Sequence, residues 1–127
     1  MRLLLDTHAL VWAITEPERV APKALELIES SENEVFASVV SPWELAIKLS
    51  RRRIELPPIF YEALRDGEFS LLPVAIRHTE VIAELPHHHR DPFDRMLIAQ
   101  AQVEGLTLVT SDREIRRYPV SILPASG

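Results

Sequence analysis

Residues 2–13 read RLLLDTHALVWA, and this stretch sets the reading of the whole chain. Arg2 to Leu5 is a short apolar run ending in Asp6, consistent with a buried strand. THALVWAI after it has room only for a short helix. The same alternation continues outward. APKALELIESSE (21–32) has Pro22 near its start and apolar residues at helical spacing, and EVFAS (34–38) after it is a strand. SPWELAIKLSRRR (41–53) offers Ser41 as N-cap, Pro42 at the first helical position and Glu44 three residues after the cap, a capping box. PPIFYEALRDG and RHTEVIAELP are further helices around a strand in FSLLPV. Asp91 to Glu104 is a helix stopped by Gly105, and TLVTSD is a strand ending in Asp112.

Strands alternating with helices predict an α/β domain with a mainly parallel sheet. Neither a repeat nor a low-complexity tract nor a linker interrupts it, so residues 1–127 read as a single domain. A chain of 127 residues is long enough to bury a proper core. It has no cysteine, which excludes disulfides, thiolate metal sites and a cysteine nucleophile and fits a reducing interior. The N-terminus falls far short of a signal-peptide apolar region, and no segment approaches the roughly 20 apolar residues of a membrane span. A soluble, cytoplasmic protein is expected.

The formal charge of −5 argues against a nucleic-acid partner, since affinity for phosphate backbones comes mainly from Lys and Arg. The distribution of charge works the other way. Basic residues gather at Lys48 to Arg53 and at Arg113, Arg116 and Arg117, a segregated pattern that can hold RNA locally.

Ligands of parallel α/β sheets bind beyond the carboxyl ends of the strands, where Asp6 and Asp112 would stand. Glu44 and Asp94 lie in the first turns of their helices, so all four acids can share one pocket. Two carboxylates about 5 Å apart repel by about 3 kcal/mol at an effective dielectric of about 20, and a cluster therefore calls for protons or cations. Mg²⁺ or Mn²⁺ suits such oxygen donors, and a hard ion there lowers the pKa of bound water and stabilises in-line phosphoryl displacement, which is nuclease chemistry. Thr7, Thr110 and Ser111 beside the acids are placed to orient such a water.

Each acid also has a structural explanation. Asp91, Pro92 and Asp94 fit N-cap, N1 and N3, and the cap is the preferred role for Asp91. Glu44 can serve its capping box and pair with Lys48 four residues on. Asp6 and Asp112 are also turn formers, and Ser111-Asp112 can cap a helix REIRRY. His87, His88 and His89 are consecutive, and no spaced partner completes a zinc site, so they read as a solvated loop able to touch phosphate when protonated. His8 lies near the site, in a packing or supporting role.

Four segments in this order, LLLDTHALVW, SPWELAIK, RDPFDRMLIAQA and GLTLVTSD, resemble the PIN-domain proteins, specifically the VapC-type toxin ribonucleases. The resemblance covers nearly the whole chain. It implies a three-layer α/β/α sandwich, generally dimeric, that cleaves RNA endonucleolytically and is silenced by a cognate VapB-like antitoxin whose C-terminal segment fills a groove leading to the site. It further implies that Asp6, Glu44, Asp94 and Asp112 are the acidic quartet, with Asp6 and Asp94 foremost as ligands of Mg²⁺ or Mn²⁺. Asp112 in such proteins acts through a water or a second ion. Trp12 and Trp43 are candidates for the groove, although tryptophans in apolar runs are commonly core.

Two rivals stand beside this reading. A haloacid-dehalogenase-like phosphatase also has a strand followed by Asp, but it needs a second aspartate where this chain has His8. A non-catalytic binding module would use every acid as a cap or turn.

Overall fold

The computed structural model describes residues 1–126. A five-stranded sheet runs through its middle: β1 (Arg2–Leu5), β2 (Glu34–Ser38), β3 (Ser70–Leu72), β4 (Thr107–Thr110) and β5 (Ile122–Pro124). The spatial order is β3-β2-β1-β4-β5, and every neighbouring pair is parallel. Six helices connect and cover it: α1 (Thr7–Thr15), α2 (Pro22–Glu29), α3 (Val40–Ser50), α4 (Ile59–Arg65), α5 (Ile76–Glu84) and α6 (Pro92–Glu104).

Strand periodicity sorts the apolar side chains into two cores. Leu3 and Leu5 of β1 point to one face and pack with Leu10 of α1, Ala24 of α2 and Phe60 of α4. Leu4 points to the other, where Leu97, Ile98 and Ala101 of α6 meet Leu85 at the end of α5. The result is an α/β/α sandwich with β1 buried on both sides.

Topology then places the site. From β1 the chain moves out through β2 to β3, and afterwards returns to the opposite side of β1 as β4 and β5. The order therefore reverses between β1 and β4, and the crevice beyond their carboxyl ends is where α/β sheets receive ligands. Asp6 follows β1 directly, its N–H donating to the Val109 carbonyl at 3.0 Å, and Asp112 lies two residues past β4.

Two local expectations are corrected. Ser41 does not cap α3, which begins at Val40, two residues before the expected Pro42, with Val39 as its flanking residue. The hydroxyl of Ser38, the last residue of β2, accepts from the Val40 N–H at 3.1 Å instead, so strand runs into helix almost without a loop. Glu44 is thereby released from any capping box. REIRRY forms only a 3₁₀ turn over Ile115–Arg117, after which the chain extends into β5.

Candidate active site

The site is built outward from Asp6. Its Oδ1 accepts from the Ala9 N–H at 2.8 Å, so the side chain is the N-cap of α1 and is held in one orientation. Burial pushes its pKa above the ordinary aspartate value, and a hydrogen bond from the Thr110 side chain offsets only part of the cost. Thr7 is the next residue, and its hydroxyl donates to Glu44 Oε1 at 2.7 Å. Since Thr7 has one hydroxyl proton, the 3.0 Å contact between its Oγ1 and Ser41 Oγ has Ser41 as the donor. Glu44 itself is buried, and its other oxygen lies 3.4 Å from Lys48 Nζ.

The second half comes from the start of α6 and the end of β4. Asp91 Oδ1 accepts from the N–H groups of Phe93 and Asp94 at 2.8 and 3.1 Å, which makes Asp91 the helix cap. Asp94 has no such duty. Burial first, and then the Asp91 charge, push its carboxyl up to about 7, with Glu44 and Asp6 adding to the effect and His89 opposing it. Asp112 Oδ1 accepts from the Glu114 N–H at 2.8 Å, while its Oδ2 meets His89 Nε2 at 2.8 Å. Burial raises its pKa, but the His89 bond and the backbone N–H donors outweigh that and hold it below the usual aspartate range.

His89 is what sequence reasoning missed. Its Nε2 stands 2.8 Å from Asp112 and 3.1 Å from Asp94, bridging two of the four acids. The Asp91 N–H points at Nδ1 from 3.1 Å, which leaves Nε2 as the proton-bearing nitrogen. Burial lowers the imidazole pKa, yet the bond to Asp112 and the charges of Asp94, Asp112 and Asp91 win and raise it. The loop is not solvated freely, as its sequence implies. Tyr118 Oη accepts from the His89 N–H at 2.9 Å and donates to the Pro86 carbonyl at 2.7 Å, and Arg95 donates to Pro86 and Ile82 carbonyls at 2.8 and 3.1 Å. His88 packs edge-on against the Tyr118 ring.

Asp6, Glu44, Asp94 and Asp112 all line one cavity of about 270 Å³, together with Asp91. Lys48 is the one permanently charged cation among its described lining residues. Five carboxyl groups against one ammonium leave oxygen donors and negative charge in excess, the condition a divalent cation relieves. Oxygens of Asp94 and Asp112, drawn together by His89, lie within 4.8 Å of one another, a spacing that one ion can span. The donor set therefore fits a divalent metal. Ser111 also lines the cavity, with its hydroxyl engaged by Ser126 (2.7 Å to that hydroxyl, 2.8 Å from that N–H), and Thr110 Oγ1 accepts from the Asp112 N–H at 3.0 Å. Of the two tryptophans Trp12 borders this cavity, whereas Trp43 is 61 % exposed, lies edge-on to Phe93 and lines a separate apolar cleft of about 400 Å³.

Comparisons with known proteins show the fold and the family. The PIN domain family model matches residues 3–120. Ribonuclease VapC22 of Mycobacterium tuberculosis is 30 % identical over 119 residues, covering 91 % of each chain. Among solved structures, VapBC2 from Rickettsia felis bound to a DNA fragment from its promoter superposes with a TM-score of 0.74 at 20 % identity, covering 97 % of this chain and 98 % of that one. A toxin-antitoxin complex from Klebsiella pneumoniae superposes at 0.65 with 18 % identity, covering 96 % of both. The structural matches establish the fold, and the family model and the relative in sequence go further: this chain belongs to the PIN domain family and is of the VapC type.

Proposed function

We propose that this chain is a single PIN-like domain over residues 1–127 and a Mg²⁺- or Mn²⁺-dependent endoribonuclease, the toxin of a cytoplasmic toxin–antitoxin pair. The observation that carries the reading is the gathering of Asp6, Glu44, Asp94 and Asp112 on one cavity at the point where the strand order reverses. These four are the proposed metal ligands. When bound, the ion supplies Lewis-acid charge and a water of lowered pKa for in-line attack on a phosphodiester.

The chain's own residues hold that arrangement. Asp6 is fixed by the Ala9 N–H, Glu44 by the Thr7 hydroxyl and Lys48, and Asp112 by the Glu114 N–H and His89. Each therefore presents its remaining oxygen lone pairs with little rotamer entropy left to lose. The exposed arginines at 51–53 and Arg113, Arg116 and Arg117 are suited to positioning the RNA backbone.

A homodimer and a VapB-like antitoxin are the proposed protein partners. Exposed Trp43 and Val74, which line one apolar cleft with Phe93 and Met96, support such contacts, because contiguous apolar surface of this kind marks interaction faces. Among the described residues no helix is long and apolar enough to cross a membrane.

The test is incubation of the purified protein with total bacterial RNA in Mn²⁺ or Mg²⁺, with new 5′ ends mapped by sequencing. The expected result is cleavage at a few defined sites, lost with EDTA and with an Asp94→Asn protein. Identical RNA from wild type and variant, together with no Mn²⁺ affinity, would leave a non-catalytic binding module in its place.

A further inference from the structure

The cavity has an aromatic wall that the metal chemistry does not use. His8 and Trp12 lie one helical turn apart on α1, so they share a face, and both border the acidic cavity. Their rings are nearly parallel, with an interplanar angle of 15° and centroids 6.0 Å apart. Arg19, from the 3₁₀ turn after α1, sets its guanidinium 4.9 Å from the Trp12 ring centroid. His8 is exposed, and among the described residues its imidazole makes no hydrogen bond or ion pair. The stack therefore ends in a flat, unsatisfied, wettable face. It begins on the same turn as Asp6, two residues from a proposed metal ligand.

Such a wall answers a problem that the site itself creates. Even with one divalent ion bound, five carboxyl groups leave the cavity short of positive charge for a phosphate chain, and Lys48, the one permanently charged cation among its described lining residues, is already paired with Glu44. Affinity for a nucleic acid at this spot must come in part from something other than phosphate contacts. Stacking on an aromatic face is charge-independent, tolerates every base and is open only to bases that are unpaired. A peptide side chain would favour an apolar pocket, and such a cleft lies elsewhere among the described residues, between Trp43, Val74, Ile82, Phe93 and Met96.

Building on the ribonuclease reading, we propose that His8 and Trp12, backed by Arg19, form a stacking platform for an unpaired base of single-stranded RNA next to the scissile phosphate. His8 and Trp12 position substrate and take no part in the chemical step.

The test uses Trp43→Phe protein, in which Trp12 is the one remaining indole, titrated in Ca²⁺ with a single-stranded RNA decamer and with an abasic decamer of equal charge. Saturable quenching of Trp12 by the first and not the second is expected, with the abasic chain bound about tenfold more weakly. Trp12→Leu, which keeps an apolar group against the core, should weaken decamer binding about tenfold, Trp12→Phe should restore most of it, and the exposed His8→Ala should lose several-fold. Mn²⁺ affinity should be unchanged in all three. Wild-type decamer affinity in both Trp12→Leu and His8→Ala, with cleavage intact, would overturn the platform and leave the nuclease standing. Quenching of Trp12 by a copurifying protein partner and not by RNA would overturn it equally. Absence of any cleavage or RNA binding by the wild type would instead remove the ribonuclease reading itself.

Discussion

Asp94 is the residue on which most of the site's electrostatics converge. It is pulled out of water and surrounded by Asp91, Glu44 and Asp6, so its proton is held up to a pH of about 7. In the unfolded chain the same carboxyl titrates near 3.8. Between those two values the native state binds more protons than the unfolded state, and stability without metal therefore falls as pH rises from about 4 to 7. This is opposite to the usual aspartate, whose native pKa is depressed. Thermal unfolding in EDTA should give a lower midpoint at pH 8 than at pH 5. Asp94→Asn, which removes the charge and keeps the shape, should flatten that dependence and stabilise the metal-free protein at pH 8 by about 1 kcal/mol, a magnitude discounted for the loss of the His89 contact. The same variant should lose cleavage by at least about a hundredfold, the scale of a lost electrostatic stabiliser. An unchanged pH profile would mean that Asp94 carries no excess charge in the native state.

At the level of elements, helix starts do the positioning. Asp91 caps α6 with two N–H bonds and so fixes the turn from which Asp94 projects. Asp91→Ala should cost about 1 kcal/mol in urea unfolding and lower cleavage along with it, whereas Asp91→Asn, still an acceptor at the cap, should retain most of both. Equal loss in the two variants would point to the Asp91 charge acting on the site directly. The α6 boundaries were legible because each end has its own chemistry: Asp91-Pro92 at the start and Gly105, with φ of +67°, at the stop. The start of α3 was not. Ser41, Pro42 and Glu44 have the spacing of a capping box, but Ser38 on β2 satisfies the first N–H before they can, a competition that depends on where the strand ends. β5 was hidden because three residues ending in Pro124 have no strand pattern until β4 provides an edge to pair with. The histidine run hid the role of His89 for a related reason. Consecutive spacing treats the three alike, and the Tyr118 hydroxyl, 29 residues away in sequence, is what pins only the third.

For the molecule as a whole, the sheet order turns an ordinary acidic surface into a concentrated one. With a net charge of −5, the chain already repels RNA at long range, and folding brings Asp6 and Asp112 from opposite ends of the sequence to the same crevice as Glu44, Asp91 and Asp94. On the proposed metal function, the free energy of that crowding is recovered when a divalent cation enters, since the unfolded chain offers no comparable site. Metal binding must then appear as folding stability. At a free Mn²⁺ concentration about a hundredfold above its Kd the native state gains about 2.7 kcal/mol, which for a chain of this size raises the unfolding midpoint by roughly 10 °C. The gain should be erased by EDTA and by Asp6→Asn, because Asp6 is the proposed ligand anchored to the central strand. It should persist in Arg51→Ala, at an exposed position at the end of α3, which alters only the approach of RNA. A midpoint that Mn²⁺ leaves unmoved in the wild type would show that the acids are satisfied by protons and by His89 alone, and that the crevice is a charged surface without a metal function.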